Sequence, residues 1–278
     1  MRLIDAHLHV WDPERFDYPW LAEVPALHRR LTLEELDEAF PRESGDDVGF
    51  VFVQADCVPG DALAEVDWVS TMTSEGVVGI VAFAALERGD EVAGELESLA
   101  ERDLVVGVRR LLQSEPAGFA LEPGFIAGAR RLAAAGLTFD ACVVESQIAD
   151  VAGLADAVPE LSIMLDHLGK PDIDGGDFAA WRAAIGELAK RPNVVAKLSG
   201  LPGQTTPEWD DATVRPYLDA ALEAFSAERL AFGSDWPASS QQTSYPRWLM
   251  AVEAWAATLG EDAADGILFR TATEFYGL

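Results

Sequence analysis

Three side-chain types are scarce in this 278-residue chain: it has two cysteines, four histidines and three lysines. Cys57 and Cys142 are too few for a disulfide framework and fit no C-x-x-C metal spacing, so they read as free thiols in a reducing compartment. No apolar run approaches the 18 or so residues of a membrane span, and the N-terminal stretch lacks the basic lead and long apolar core of a secretory signal. A cytoplasmic location is the expectation. No G-x-G-x-x-G and no P-loop follows any apolar run, which removes the common nucleotide-binding signatures. Basic residues are also few. Against 48 acids stand 20 bases, a net charge of −28, which makes nucleic acid and anionic membranes poor partners. The acids read mainly as solvated helix faces, and the balance favours a small neutral substrate over a highly anionic one. A homo-oligomer is compatible with all of this. With 49% hydrophobic and 24% charged residues, the chain has ample material for a buried core.

What is present is a rhythm. Eight short apolar runs recur: residues 2–9, 48–54, 77–83, 104–110, 137–144, 161–167, 193–200 and 229–235. Between them lie segments of helical period with start and stop signals. Thr32 and Glu35 form a T-x-x-E capping box, Gly76 and Gly136 are placed to end helices, and Pro123 to begin one. Near-continuous apolar strands alternating with helices imply parallel strands buried on both faces. The expected fold is an α/β (β/α)8 TIM barrel, with residues 1–278 as one domain, since no linker or low-complexity tract divides it. A doubly wound open sheet is the alternative. The segment "LFRTATEFYGL" reads as a terminal helix capping the barrel. The longest connection, residues 10–31, carries Trp11, Phe16, Tyr18, Trp20 and His28, which form either a pocket wall or packing over the rim.

In such a barrel, catalytic groups gather at the C-terminal ends of the strands. Those ends hold Asp5, His7 and His9 in the first run, Gln54 in the second, Arg109 and Arg110 in the fourth, Asp166 and His167 in the sixth, Lys197 and Ser199 in the seventh, and Ser234 and Asp235 in the eighth. Half of the chain's histidines lie in "DAHLHVWD". His7 and His9 are two apart, so a strand turns both imidazoles to one face, as a chelating H-x-H pair requires. Asp235 would face the same mouth and could act as general base toward a water. Strand alternation sends Asp166 away from His167, toward anchoring a loop. It likewise lets only one of Arg109 and Arg110 enter the barrel, to bind a carboxylate or stabilise an oxyanion.

The stretches "DAHLHVWD", "VQADC", "GVRRLLQ", "GLTFDACV", "LDHLGKP", "VVAKLSGL" and "FGSDWP" together resemble the amidohydrolase superfamily. More narrowly they resemble its sugar-lactonase branch, with L-fuconolactonase, L-rhamnono-lactone hydrolase and pyrone-dicarboxylate lactonase. The likeness runs from residue 3 to 278. It implies a carbohydrate-processing hydrolase that opens a cyclic ester with water. Carried over, Asp235 would deprotonate the water, His7, His9 and His167 would hold or polarise the lactone carbonyl, and Arg109 would bind substrate or stabilise charge. Gln54, Gln113, Trp20, His28, Lys197 and Trp236 are candidates for substrate binding. The chain departs from binuclear members: it has arginine where they carry a strand-4 lysine or glutamate, and no histidine ends strand 5. The implied cofactor is therefore none or one divalent ion, zinc first, held by His7, His9 and Asp235. A metal-dependent decarboxylase or amide hydrolase on the same barrel is the second reading. A catalytically silent sugar-binding barrel is the third.

Overall fold

Val, Ile and Phe dominate the apolar runs, and branched or aromatic side chains fit a pleated surface covered on both sides. The computed structural model describes residues 1–43 and 45–278. Among the described residues it contains eight parallel strands: β1 (Arg2–Leu8), β2 (Asp47–Val53), β3 (Val77–Ala82), β4 (Val105–Arg109), β5 (Thr138–Ala141), β6 (Ile163–Leu165), β7 (Val194–Leu198) and β8 (Leu230–Phe232). They pair in chain order, β1 through β8. The helices between them are α1 (Leu33–Ala39), α2 (Ala62–Val69), α3 (Ala93–Ala100), α4 (Pro123–Ala134), α5 (Ile148–Ala157), α6 (Phe178–Leu188), α7 (Asp211–Phe225) and α8 (Tyr245–Ala257). Two short helices follow, α9 (Glu261–Asp265) and α10 (Thr271–Tyr276). This is a (β/α)8 barrel. The local signals act as expected: the Glu35 carboxylate accepts from the Thr32 amide and hydroxyl, both at 2.7 Å, and Gly76 ends its helical segment at φ 107°.

Two apolar layers result. Large side chains such as Phe50, Phe52, Phe139, Trp181 and Trp248 fill the space between strands and helices. Smaller ones, Ile4, Ala6, Val51, Val53, Val81, Met164 and Ala231, fill the barrel interior, joined by Ala272 and Tyr276 of α10. The terminal segment thus plugs the end opposite the catalytic mouth.

Strict alternation along β1 would defeat the site. With Ile4 and Ala6 turned inward, His7 would point out and Leu8 in. The register against β2 instead shifts between Asp5 and Leu8. The extra residue of this β-bulge reverses the phase: Leu8 joins the outer layer and His7 and His9 turn into the mouth. The amide freed at the bulge is satisfied by a side chain, because His7 N donates to Asp5 Oδ1 at 3.1 Å. The same oxygen accepts from Ser234 N at 2.9 Å, so Asp5 stitches β1 to the chain leaving β8. That seam is completed by backbone bonds from Asp235 N to His7 O and from His9 N to Trp236 O, each 2.8 Å.

Gly233 allows the seam to close this tightly. A Cβ built there would lie 2.8 Å from His7 Cβ and 3.0 Å from Ser199 Cβ, distances at which one of the partners must move. The Gly233→Ala variant is therefore expected to lose about 1–3 kcal/mol of stability in urea titration. Unchanged stability would show that the seam has slack.

Candidate active site

Each functional side chain reaches the mouth through a local departure from regular backbone. His7 and His9 depend on the bulge. His167 has φ 53°, Leu168 52°, Gly169 72° and Lys170 51°, so a left-handed turn leaves β6 directly. Asp235 at φ 57° and Asp56 at 59° are bent the same way after β8 and β2. Left-handed backbone costs a non-glycine residue roughly 1 kcal/mol or more, and such strain concentrates at functional sites. Gly200 makes room for the result: a Cβ there would fall 2.5 Å from His167 Nδ1.

The left-handed turn changes one expectation. Asp166 does not point away from His167. Both enter the barrel, because the turn breaks the strand alternation between them. Asp166 Oδ1 lies 3.1 Å from His7 Nδ1 and 3.0 Å from Lys197 Nζ, and all three residues are fully buried.

Above this layer the donors converge. His9 Nδ1 donates to the Val53 carbonyl at 2.7 Å, which leaves the Nε2 of a neutral ring with its lone pair free. His7 Nε2 lies 3.2 Å from His9 Nε2. Asp235 Oδ1 lies 3.5 Å from His9 Nε2, 3.8 Å from His7 Nε2 and 3.9 Å from His167 Nε2. The other Asp235 oxygen accepts from Ser239 Oγ at 2.6 Å. His167 Nδ1 meets Ser199 Oγ at 2.9 Å. Burial pushes the pKa of all three imidazoles down, His167 to about 4, so they are neutral near pH 7. Burial opposes ionisation of Asp235 too, yet the neighbouring His167, His9 and His7 outweigh it and hold the carboxyl below its usual range.

Two neutral imidazole nitrogens and a carboxylate oxygen, 3.2 to 3.8 Å apart, suit one small divalent ion. Tetrahedral ligation at about 2.0–2.1 Å places ligand atoms roughly 3.3 Å from one another. His7, His9 and Asp235 can thus hold a single divalent cation.

The mouth opens into a cavity of about 230 Å³ whose wall includes His9, Arg109, His167, Asp235, Trp20 and Gln113. Arg109 Nη1 is 3.4 Å from His7 Nε2, and Nη2 donates to the Gln54 carbonyl. Arg110 turns outward to Glu87 at 3.0 Å and Glu115 at 2.6 Å. Trp20 crosses Trp11 at 86°, with ring centres 5.1 Å apart. Five sequence candidates lie outside the cavity wall, the first being His7, which is fully buried just behind His9 and Asp235. His28 is exposed and borders a surface depression with Arg15 and Phe16, because its loop folds outward past Trp20. Lys197 is fully buried beneath His7, paired with Asp140 and Asp166. Trp236 packs its ring into the apolar layer and offers only its carbonyl, to His9. Gln54 is buried, and its Oε1 accepts from Asp56 N at 2.6 Å. Sequence reasoning passed over Asp56, Leu111 and Lys170 on the wall, and Asp140 and Tyr276 below it. A lone aspartate two residues before Cys142 in an apolar strand is the signal that could have found Asp140. Tyr276 carries no such mark.

The wall is pinned from behind by Glu65 of α2. Its carboxyl accepts from Tyr18 Oη at 2.9 Å and Ala55 N at 3.4 Å, while Trp20 Nε1 donates to Ala55 O at 2.8 Å. Burial raises the Glu65 carboxyl from an ordinary 4.5 to about 7, against the hydrogen bonds from Tyr18 and Ala55.

The fold and the site define a barrel hydrolase. More narrowly, the chain belongs to the amidohydrolase family, whose pattern matches residues 4–278. It is 33% identical to an L-fucono-1,5-lactonase of Burkholderia ambifaria, over 98% of this chain and 94% of that one. It is 24% identical to an L-rhamnono-gamma-lactonase of Scheffersomyces stipitis, over 100% and 99%. A crystal structure of a Burkholderia multivorans amidohydrolase with bound zinc superposes with a TM-score of 0.87 at 31% identity, covering 100% of both chains.

The raised pKa of Glu65 has a definite sign. The unfolded chain releases this proton near pH 4.5 and the folded one near pH 7, so the folded state binds more protons between them and stability falls as pH rises through that window. The loss approaches roughly 3 kcal/mol. Glu65→Gln should remove this component, so that its melting temperature gains on the wild type between pH 5 and about 8. Parallel pH profiles would contradict the assignment.

Proposed function

We propose that the protein hydrolyses a small sugar-derived lactone, with Asp235 as the base toward water. The observation that carries this reading is the cluster of His7, His9 and Asp235 donors at the mouth of a monosaccharide-sized cavity. Full-length similarity to lactonases supports it. Ester opening needs a water, a base that takes its proton, and an electrophile at the carbonyl.

His7, His9 and Asp235 would hold one zinc ion, which when bound supplies Lewis acidity toward a carbonyl oxygen and toward water. The protein groups do the rest. Asp235 is ionised at neutral pH and accepts the water proton. With Ser199 donating to Nδ1, His167 presents its Nε2–H to the reacting ester. Arg109 offers guanidinium hydrogens where negative charge grows on oxygen, in a site that excludes most solvent. Trp20 covers an apolar face of the ring, and Gln113 meets hydroxyls. Lys170 donates to Gln113 Oε1 and fixes its amide orientation. A small-molecule lactone is thus the partner this site fits.

The test is acid release from a panel of hexono-1,4- and 1,5-lactones, read with a pH indicator. Asp235→Asn should reduce turnover of the best lactone by about 10²–10⁴-fold with an unchanged circular dichroism spectrum. Near-wild-type turnover would remove the base assignment. Dialysis against a chelator should lower wild-type activity, and added zinc should restore it.

A further inference from the structure

The charged layer beneath His7 is larger than the site needs for catalysis, and no part of it lines the cavity. Lys197 of β7 bonds Asp140 of β5, lies 3.0 Å from Asp166 Oδ1 and stands 3.2 Å from His7 Nδ1. Tyr276 of α10 donates to Asp140, with oxygen separations of 2.8 and 3.0 Å. Asp140, Asp166, Lys197 and His7 are 0% exposed, so no bulk water can substitute for a missing partner. The hydrogens in this layer must be distributed among these groups and the buried Arg109 guanidinium, which stands 3.4 Å from His7 Nε2 and 3.9 Å from Asp166 Oδ2.

Two neighbours compete for His7 Nδ1. Asp166, an acceptor at 3.1 Å, favours the ring carrying its hydrogen on Nδ1. Lys197, a donor at 3.2 Å, favours the ring carrying it on Nε2. Only the first tautomer turns a lone pair toward His9 and Asp235. Which wins depends on where the three ammonium hydrogens go. Asp140 takes one, Asp166 at 3.0 Å another, and the third is left to face the Tyr276 ring, whose centre is 5.7 Å from Nζ. Tyr276 holds the Asp140 carboxylate in place for the first of these bonds.

We propose that Asp140 and Tyr276 are positioning residues for the cation site: they hold the Lys197 ammonium so that His7 donates from Nδ1 to Asp166 and keeps its Nε2 lone pair for the metal. This rests on the reading of His7, His9 and Asp235 as ligands. It makes α10, at the far end of the barrel from the mouth, a determinant of metal affinity. With Asp140 neutral, a Lys197 hydrogen is freed for His7 Nδ1, the ring hydrogen moves to Nε2, and that hydrogen occupies the ligand position.

The experiment compares wild type, Asp140→Asn, Tyr276→Phe and a packing control, Ile4→Val, which thins the same interior layer. Zinc affinity is measured by competition with a chromophoric chelator. The His7 tautomer is read from ¹⁵N spectra of histidine-labelled, metal-free protein. Asp140→Asn should weaken zinc binding by about 10–100-fold, the range typical of lost support around a metal ligand, and shift His7 toward the Nε2–H form. Tyr276→Phe should move both readouts in the same direction by a smaller factor and carries the test if Asp140→Asn does not fold. Ile4→Val should lower the melting temperature and move neither. Wild-type zinc affinity and an unshifted His7 tautomer in the Asp140 and Tyr276 variants would overturn the proposal. A wild type that binds no zinc would remove the metal reading alone, and the tautomer spectra would still decide the positioning role.

Discussion

A buried carboxylate–ammonium–carboxylate stack under a single imidazole is the constraint on which the mouth of this barrel depends. Asp140, Lys197 and Asp166 come from β5, β7 and the end of β6, and none is solvated. Burial alone would drive the lysine toward neutrality, yet the two carboxylates outweigh it and hold the ammonium protonated. The same lysine, with His7, holds Asp166 ionised against its own desolvation. Removing Lys197 would strand two carboxylates in low dielectric, which is far costlier than the stack itself. The stack therefore ties three strands together at the depth where the barrel changes from apolar filling to polar mouth, and His7 inherits its orientation.

The apolar runs made the barrel legible, because parallel strands buried on both faces read as unbroken hydrophobic segments, and a polar residue at the end of one stands out. The location of His7, His9, Arg109, His167 and Asp235 at the mouth followed from that. Their exact presentation did not. Period-two reasoning puts His7 and His9 on one face but cannot say which, and the bulge beside Ala6 decides it. It also sends Asp166 the wrong way, since nothing in "LDHLGK" announces that four consecutive residues adopt left-handed backbone. Loop candidates fared worse for a related reason: Trp20 and His28 sit eight residues apart in one aromatic segment, and only tertiary packing against Ala55 and Glu65 brings one to the cavity and leaves the other in solvent. Tyr276 lay beyond reach because its partner is 136 residues away.

The electrostatics divide by depth. The chain is strongly acidic as a whole, but the cavity gathers two of its few cations, Arg109 and Lys170, opposite Asp235 and Asp56. On the proposed lactonase reading, a neutral ring entering this mouth is neither attracted nor repelled at long range. Once opened to a carboxylate, it is an anion leaving an anionic protein, so the surrounding field favours departure. The local cations lie close enough to act on the reacting oxygens, and their reach is limited by the acidic exterior.

The seam between β1 and β8 carries a consequence of its own. Its hydrogen bonds are made by His7, His9, Asp235 and Trp236, with Asp5 bridging to Ser234. Elsewhere around the barrel, neighbouring strands share three or more paired positions, whereas here an isolated bridge between Leu8 and Trp236 stands in for a ladder. Barrel closure and site assembly are thus one event. Any breathing of the cylinder that begins at this join separates the donor atoms before the helices notice, so on heating the chemistry would be lost ahead of the fold.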